Sequence, residues 1–446
     1  MASRGRTYLH TSNRRRHFGE QFCVAVGHIQ NLILLDTLES HLMQMPGKVV
    51  VVSQHYPPDH STTAAIMAAI ADRVAREVEV VVLSGYPASA SVPAPGRPSV
   101  IEIKNWLPGK AALIRRGAAE LLFAARMFLA LVRKLQRGDV ALTVTAPFML
   151  PYAVAAAARM KRARSVLIMH DLFPDVLVMS GLLKPDSLVA RAIGAVNALM
   201  FRVLDAVVII GRDTEKLLLR DGGMTRGKIR FIPNWATLAP AVRPIRADNS
   251  FRRALAAHFV VGLSGNLGFT HDPVIVFEAA RLLRDQPDIH FLLSGWGVGF
   301  ERLKSMQSEA NLANVTLMDR VPDGDLEALL AAADVWVIPY RGGVSGVSVP
   351  SRFYNLLAIG RPVILVSEPQ AEAAVTVTEN NLGWVVTPGR ADQLVAAIRA
   401  ASLCEDTAMA GRAVATAGNF SAERALNGYA ALLLELLRNP QPEQAT

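Results

Sequence analysis

Cysteine is scarce in this sequence, whose 446 residues contain only Cys23 and Cys404. Two cysteines cannot supply the disulfide framework of a small secreted protein or a cysteine-rich zinc site. The sequence therefore predicts a protein of a reducing compartment. Charged residues make up only 19%, whereas apolar residues make up 51%. This composition excludes a disordered, collagen-like or coiled-coil chain, and the length favours two or more domains.

Long uninterrupted apolar runs are also missing. The longest uncharged run, residues 140–158, is interrupted by Pro147 and Pro151. A membrane span needs about 20 apolar residues in one helix, so this run predicts a strand, a turn and a helix. The run at 22–35 is shorter still, and it follows three arginines without the small-residue cleavage site of a signal peptide. No segment is predicted to enter a bilayer.

Charge is distributed unevenly between the two halves of the chain. Residues 1–250 contain 32 Lys and Arg against 18 Asp and Glu, a net charge of +14. Residues 251–446 contain 15 against 20, a net charge of −5. A basic half joined to an acidic half indicates either a face that meets an anionic partner or two unrelated solvated surfaces. Composition leaves both interpretations open.

Short apolar runs alternate with helical patterns in two successive series. The predicted strands of the first series are 49–52, 78–83, 140–144, 165–169, 206–210 and 228–232. Those of the second are 259–263, 290–293, 315–318, 335–338, 362–366 and 383–386. Short strands that are apolar on both sides and separated by helices predict α/β domains with doubly wound parallel sheets. Two Rossmann-like domains would then face each other across a cleft, with ligands at the carboxyl ends of the strands.

Composition also predicts where the domains begin and end. The extension at the N-terminus lacks periodicity and is predicted to lie outside the fold, and a proline-containing stretch separates the two series. The predicted parts are the extension 1–46, the N-terminal domain 47–240, the linker 241–256, the C-terminal domain 257–420, a C-terminal helix 421–438 and a tail 439–446.

Two short motifs have a functional and a structural interpretation. The loop 295–299 has glycine at every second position but lacks the third glycine of a dinucleotide fingerprint, where Phe300 stands. We interpret it as a tight turn near a nucleotide. Asp323 and Asp325 precede a helix and are predicted to cap it rather than to bind a metal. No cluster with metal-ligand spacing is apparent, so no obligatory metal is predicted.

The sharpest local signal is the glycine-rich stretch 341–352. A predicted strand runs into Gly343, and Pro350 suits the first turn of a helix. The free N–H groups and partial positive charge of a helix start form a phosphate site, to which Ser351 and Arg352 can add donors. An ordinary loop and helix cap is the alternative.

Segment 349–364 resembles the donor-site helix of glycosyltransferase family 4, whose members have the GT-B fold. The likeness is to the bacterial exopolysaccharide and colanic-acid type. It extends in collinear order over roughly residues 48–437. The other segments that carry it are 170–175, 232–235, 261–268 and 332–335.

This resemblance implies a sugar transferase that uses a nucleotide-diphosphate sugar, with no obligatory cofactor, and that retains anomeric configuration. The acceptor is expected to be a lipid-linked glycan in cell-surface polysaccharide biosynthesis. The residues expected at the transferred sugar are His170, Asp171 and Asn355. Those expected to bind the donor are Gly265, Asn266, Gly268, His271, Arg320, Gly343, Ser348, Ser351 and Arg352.

The sequence departs from the family pattern in the donor site. Val347 and Asn355 occupy the positions of two usual glutamates, and Asn266 and His271 stand where an arginine and a lysine are usual. Arg352, Arg320 and His271 are then the candidates for stabilising the diphosphate. Two other functions stay open: a nucleotide-sugar epimerase of the same architecture, and a non-catalytic scaffold subunit.

The helical stretch 113–137 combines apolar residues with several cations. It predicts either a solvated helix face or contact with anionic lipid. Together with the basic N-terminal half, it favours a cytoplasmic protein that docks peripherally on the inner face of the cell membrane. Nucleic-acid binding is not predicted, because neither a basic platform with interleaved aromatics nor a helix-turn-helix pattern is present.

Overall fold

The computed structural model describes residues 47–86, 94–106, 113–220, 222–255 and 258–438. Within these ranges the chain forms two parallel sheets, one of seven strands and one of six. The predicted α/β fold with two doubly wound sheets is confirmed. The predicted N-terminal extension and C-terminal tail lie outside the described residues.

The N-terminal sheet has the strand order β3-β2-β1-β4-β5-β6-β7. Its strands are β1 Val49–Ser53, β2 Val80–Ser84, β3 Ser99–Glu102, β4 Val140–Val144, β5 Arg164–Met169, β6 Ala206–Ile209 and β7 Ile229–Phe231. Its helices are α1 Thr62–Val74, α2 Leu113–Lys134, α3 Leu150–Lys161, α4 Asp175–Met179, α5 Leu188–Val203 and α6 Thr214–Arg220. The strand–turn–helix prediction for residues 140–158 is confirmed by β4 and α3.

The C-terminal sheet has the order β10-β9-β8-β11-β12-β13. Its strands are β8 Phe259–Asn266, β9 Ile289–Trp296, β10 Val315–Asp319, β11 Val335–Pro339, β12 Val363–Val366 and β13 Gly383–Val386. The helices are α7 Pro273–Leu282, α8 Val298–Ala310, α9 Leu326–Leu330, α10 Ser351–Ala358, α11 Glu372–Glu379, α12 Ala391–Ser402, α13 Met409–Ala417 and α14 Ala422–Arg438.

Burial explains which strands the sequence predicted. Every residue of β1 is buried, because helices cover both faces of its sheet, so the strand reads as a continuous valine run. Strand β3 was missed because it lies at the sheet edge and is only partly buried, with a short and weakly apolar sequence. None of the helices in the described ranges is long and apolar enough to span a membrane.

In both sheets the order in which successive strands are added reverses at a comparable point. In the first, β1 pairs with β2 on one side and β4 on the other. In the second, β8 pairs with β9 and β11. Such switch points leave a crevice at the carboxyl ends of the strands, which is where ligands of doubly wound sheets bind.

The final helix, α14, packs on the N-terminal sheet although it follows the C-terminal domain in sequence. Tyr429, Leu433 and Leu437 are buried in the same apolar cluster as Val49 and Val51 of β1. This helix fills one face of the N-terminal sheet together with α1, so that domain depends on the end of the chain for its core.

Replacing Leu433 by Ala is expected to lower the free energy of unfolding of the N-terminal domain by about 2–5 kcal/mol, because it leaves a cavity under α14. Leu403→Ala is the matched control, since Leu403 is 81% exposed while Leu433 is fully buried. Denaturant unfolding, followed by proteolysis at sites within the N-terminal domain, measures the stability of that domain in both variants. Equal stability of the two variants would contradict the packing described for α14.

Candidate functional site

A cavity of about 330 Å³ lies where the two domains face each other. The carboxyl ends of β8 and β11 and the start of α10 supply most of its wall, and Thr62 and Asp171 contribute from the N-terminal domain. Of the residues predicted to bind the donor or the sugar, the cavity wall includes eight: Asp171, Gly265, Asn266, Gly268, His271, Ser348, Ser351 and Arg352. The sheet topology therefore brings together segments far apart in sequence.

The end of β8 is held close to the loop that follows β9. Leu267 N–H donates to the carbonyl of Trp296 at 2.8 Å, and Gly299 N–H donates to the carbonyl of Leu267 at 2.9 Å. Gly297 has φ +94°, and a Cβ there would lie 2.6 Å from the Asn266 Oδ1 atom. Glycine is therefore required at this position by close packing and backbone conformation. The glycines of this loop bring Trp296 to the cavity wall.

Helix α10 begins at the cavity with Ser351, and no side chain caps it. Its first N–H groups lack partners within the helix, as at any helix start. Arg352 lies on the cavity wall and makes no hydrogen bond or ion pair with another described residue. Burial lowers the pKa of its guanidinium, the nearby carboxylate of Asp323 opposes this shift, and the cation of Arg320 acts in the same direction as burial. The site thus combines free N–H donors with an unpaired, desolvated cation, which suits an anion.

His271 is positioned by the loop between β8 and α7. Its Nδ1 atom lies 3.0 Å from the Thr270 Oγ1 atom, and its ring centroid is 5.1 Å from that of Tyr340. Arg341 donates from Nε to the His271 carbonyl at 3.0 Å. Burial lowers the pKa of His271 to about 4, so the ring is neutral at neutral pH. It can donate or accept a hydrogen bond there but supplies no positive charge.

Across the cavity, Thr145 fixes the backbone that carries His170 and Asp171. The N–H groups of both residues donate to the Thr145 Oγ1 atom at 3.2 Å. Asp171 reaches the cavity wall, and burial raises the pKa of its carboxyl. His170 is not part of that wall. Its Nε2 atom is buried without a partner among the described residues, and burial lowers its pKa to about 4.

Asn355 lies away from the cavity, in contrast to the position expected for it beside the transferred sugar. Its side chain is 7% exposed, and its Oδ1 atom accepts from Thr237 N–H at 2.7 Å and Leu238 N–H at 3.2 Å. Asn355 therefore ties α10 to the chain that joins the two domains. The sequence pattern could not show this contact, because it places Asn355 on a helix but does not identify the groups that hydrogen-bond to its side chain.

Gly343 and Arg320 also lie outside the cavity wall. Gly343 N–H donates to the Glu368 carboxylate, and Gly343 has φ +88°. The Arg320 guanidinium lies 4.9 Å from the ring centroid of Trp296, close to the cavity, and pairs with Asp323 at 3.2 Å. Arg320 thus reaches the site through Trp296 rather than directly.

The predicted capping role of the acidic pair before α9 is wrong in detail. Asp325 occupies the N-cap position, but its side chain makes no capping hydrogen bond. Asp323 pairs with Arg320 instead. Within the described ranges no group of three or more His, Cys, Asp or Glu side chains is arranged to hold a metal ion.

Sequence reasoning missed Thr62, Thr145, Trp296 and Tyr340. Thr62, Trp296 and Tyr340 line the cavity, whereas Thr145 fixes the strand end behind it. Thr145 directly follows the predicted strand 140–144. A polar residue at the carboxyl end of a strand is a signal that could have identified it as part of the site. Trp296 lies in the loop 295–299 that was predicted to turn near a nucleotide, but that pattern singled out the glycines and not the ring.

Both halves of the chain match glycosyltransferase family models. Residues 249–415 match the model described as "Glycosyl transferases group 1". Residues 60–235 match the one described as "Glycosyl transferase 4-like domain". The two matches fall on the C-terminal and N-terminal sheets respectively.

Two curated relatives agree with these matches. The chain is 27% identical over 346 residues to the probable glycosyltransferase WbjE of Pseudomonas aeruginosa, covering 77% of this chain and 86% of that protein. It is 28% identical over 253 residues to the putative colanic acid biosynthesis glycosyl transferase WcaI of Escherichia coli K12, covering 55% and 62%.

Solved structures share the fold. Anabaena HepE in complex with UDP has a TM-score of 0.62 at 16% identity, covering 87% of this chain and 100% of that one. WaaG, a glycosyltransferase involved in lipopolysaccharide biosynthesis, has a TM-score of 0.62 at 14% identity, covering 86% and 99%. At this identity the likeness establishes the GT-B fold alone.

Replacing Arg352 by Ala is expected to weaken nucleoside-diphosphate binding by about 1–3 kcal/mol, the scale of a lost charge-assisted hydrogen bond. Calorimetry on folded protein measures this. Arg302→Ala removes an exposed cation of α8 outside the cavity and serves as the control. An unchanged affinity of the Arg352 variant would remove this residue from the site.

Proposed function

The chain belongs to the glycosyltransferases of family 4 with the GT-B fold, and on that premise we propose a specific reaction. It moves a sugar from a nucleotide-diphosphate sugar to a lipid-linked glycan during bacterial cell-surface polysaccharide biosynthesis, with retention of anomeric configuration. Relatives named for polysaccharide and colanic acid biosynthesis support the pathway class. The structure of HepE with UDP supports a nucleotide donor by analogy.

The observation that carries the proposal is the unpaired Arg352 beside the start of α10. A partly buried cation without an ion-pair partner is unfavourable, and a bound anion offsets its desolvation. A diphosphate supplies several acceptor oxygens, which the N–H groups of the helix start and the guanidinium can share. The cavity volume of about 330 Å³ suits a ligand of nucleotide size.

In the proposed reaction, the bond between the anomeric carbon and the diphosphate oxygen breaks as a bond to the acceptor oxygen forms. Negative charge grows on the leaving diphosphate, where Arg352 and the α10 N–H groups are fixed in advance. Stabilisation of developing charge by preorganised donors is usually the largest catalytic contribution. The acceptor hydroxyl gives its proton to a leaving phosphate oxygen. Asp171 would border the sugar on the opposite side, with the neutral His170 next to it in the chain.

The carboxylate content of the cavity favours transfer over the epimerase alternative. Asp171 is the only acidic residue on the cavity wall within the described residues. An epimerase that moves protons at the sugar needs paired acid and base groups. A transferase whose leaving group accepts the proton needs no such pair.

Incubation with a panel of nucleotide sugars, with and without a lipid extract from polysaccharide-producing cells, tests the reaction. We expect nucleoside diphosphate to be released only when donor and extract are both present, and activity to persist in EDTA because protein groups supply the positive charge. Isomerised donor without acceptor would establish the epimerase, and no turnover of any donor would favour the scaffold. Loss of activity in EDTA that magnesium restores would overturn the metal-independent mechanism.

The N-terminal domain carries the surface that we assign to the membrane. Helices α2, α3 and α5 pack side by side on one face of its sheet. Their sequences contain nine Lys or Arg but a single acid, Glu120. Their exposed apolar side chains include Leu121, Leu122, Leu129, Met160, Leu188, Val189, Val196 and Leu199. Apolar side chains interleaved with cations are typical of a helix face at an anionic lipid surface.

Helix α5 connects this surface to the site. On its inner side, Asn197 accepts from the Tyr152 hydroxyl at 2.6 Å and donates to the Phe173 carbonyl at 2.6 Å. Phe173 follows Asp171 by two residues, so the loop bearing Asp171 lies directly beneath α5. A membrane in contact with the outer face of α5 would present a lipid-linked acceptor close to the cavity.

Vesicle co-sedimentation tests the membrane contact. Binding is expected to require anionic lipid and to fall steeply with salt, since each cation contributes about 1 kcal/mol within a Debye length of about 8–10 Å. It should weaken when Arg115, Arg116, Arg133 and Lys134 become Gln. The control replaces four exposed cations of the C-terminal domain by Gln: Arg281, Arg284, Arg302 and Arg399. Equal binding to neutral vesicles, or equal loss in both variants, would contradict the assigned surface.

A further inference from the structure

A carboxylate of the N-terminal domain holds the glycine-rich loop of the C-terminal domain from across the cleft. Asp213 lies between β6 and α6. Its Oδ2 atom accepts from Gly346 N–H at 2.6 Å and from the Ser345 hydroxyl at 3.3 Å. Both donors belong to the loop between β11 and α10, and Ser348, two residues after Gly346, is on the cavity wall.

The same carboxylate also caps a helix of the C-terminal domain. Helix α11 begins at Glu372, and its N-cap residue Ala371 has no side chain able to accept a hydrogen bond. Glu372 N–H donates to the Asp213 Oδ2 atom at 3.1 Å. A carboxylate at a helix N-terminus is favourable, because it satisfies an orphan N–H and meets the positive end of the dipole. Asp213 therefore joins two elements of the other domain at one oxygen.

Two glycines make this close approach feasible. Gly346 has φ +77°, and a Cβ there would lie 2.7 Å from the Leu217 Cδ1 atom of α6. At Gly211 a Cβ would lie 2.6 Å from the Asp213 Oδ1 atom and 2.8 Å from the Val349 Cγ2 atom. Any larger residue at either position would push the loop away from the N-terminal domain. A glycine on each side of the cleft therefore permits the glycine-rich loop to lie this close to the N-terminal domain.

We propose that Asp213 is a positioning residue for the donor site, setting the conformation of the loop that leads into Ser348 and Arg352. This inference rests on the proposed function, since it assigns the loop to the donor diphosphate. The donor site is then complete only when the N-terminal domain is docked against this loop. Domain closure and donor binding become coupled, because each favours the conformation that the other requires.

The neighbouring residue offers a matched control for this proposal. Arg212 also crosses the cleft to α11: its backbone N–H donates to Glu372 Oε2 at 2.7 Å, and its Nε to the same atom at 2.9 Å. A further contact joins Arg212 to the exposed carboxylate of Glu379 at 3.3 Å. None of these bonds reaches the glycine-rich loop. Loss of the Arg212 side chain therefore weakens the contact between the domains without releasing the loop.

The test compares Asp213→Ala, Asp213→Asn and Arg212→Gln with the wild type in two measurements. Hydrogen exchange of residues 343–350 in ligand-free protein reports loop anchoring, and steady-state kinetics report the donor KM and kcat. Asp213→Ala should speed exchange in this segment and raise the donor KM about tenfold, the scale of one or two lost charge-assisted hydrogen bonds. Asp213→Asn keeps one acceptor oxygen and should stay within about threefold of wild type.

The outcomes separate the inference from the function on which it rests. Exchange at 343–350 that is unchanged in Asp213→Ala, or raised equally by Arg212→Gln, would overturn the anchoring role even if no donor is turned over. A wild-type enzyme that binds no nucleotide sugar would instead refute the proposed function. If Asp213→Ala does not fold, exchange of the Gly346 amide in the wild-type protein decides the matter, since this N–H donates to Asp213 Oδ2. Exchange of that amide as fast as in an unprotected peptide would refute the inference.

Discussion

The half-buried guanidinium of Arg352 makes no ion pair within the described residues, although the carboxylate of Asp323 acts on it electrostatically, and the candidate site is arranged around this charge. Desolvation lowers the pKa of this group, and an anion bound at the cavity would offset that desolvation. The uncapped start of α10 adds N–H donors at the same place. His271 and His170 are both neutral, since burial lowers their pKa to about 4, and they leave the positive charge to arginine. The chemistry that fits this balance is the departure of a diphosphate.

The second feature that matters is how residues outside the cavity wall hold the elements around it. Asp213 holds the loop before α10, Asn355 ties α10 to the chain between the domains, and α14 returns to complete the N-terminal core. These contacts link the two sheets directly, although each sheet matches its own family model. Val347 and Asn355, which stand at the positions of the usual family glutamates, are both buried, and the Asn355 side chain accepts hydrogen bonds from Thr237 and Leu238.

The sequence predicted strands best where both faces of a strand are buried. Continuous apolar runs such as β1 predicted the strands, and the doubly wound sheet class predicted ligands at their carboxyl ends. The half-exposed edge strand β3 was missed for the same reason. The family resemblance placed Asn355 beside the transferred sugar but could not show that its side chain accepts hydrogen bonds from Thr237 and Leu238. The role of Asp213 depends on two domains meeting, which no local pattern encodes.

The central claim is that a donor diphosphate lies against Arg352 and the first turn of α10, inside a cleft closed by Asp213. A crystal structure with a bound nucleoside diphosphate tests it most directly. The account predicts phosphate oxygens within hydrogen-bond distance of the Arg352 guanidinium and the α10 N–H groups, with the Asp213–Gly346 hydrogen bond intact. A diphosphate bound elsewhere in the cleft, with Arg352 still lacking a partner, would contradict it.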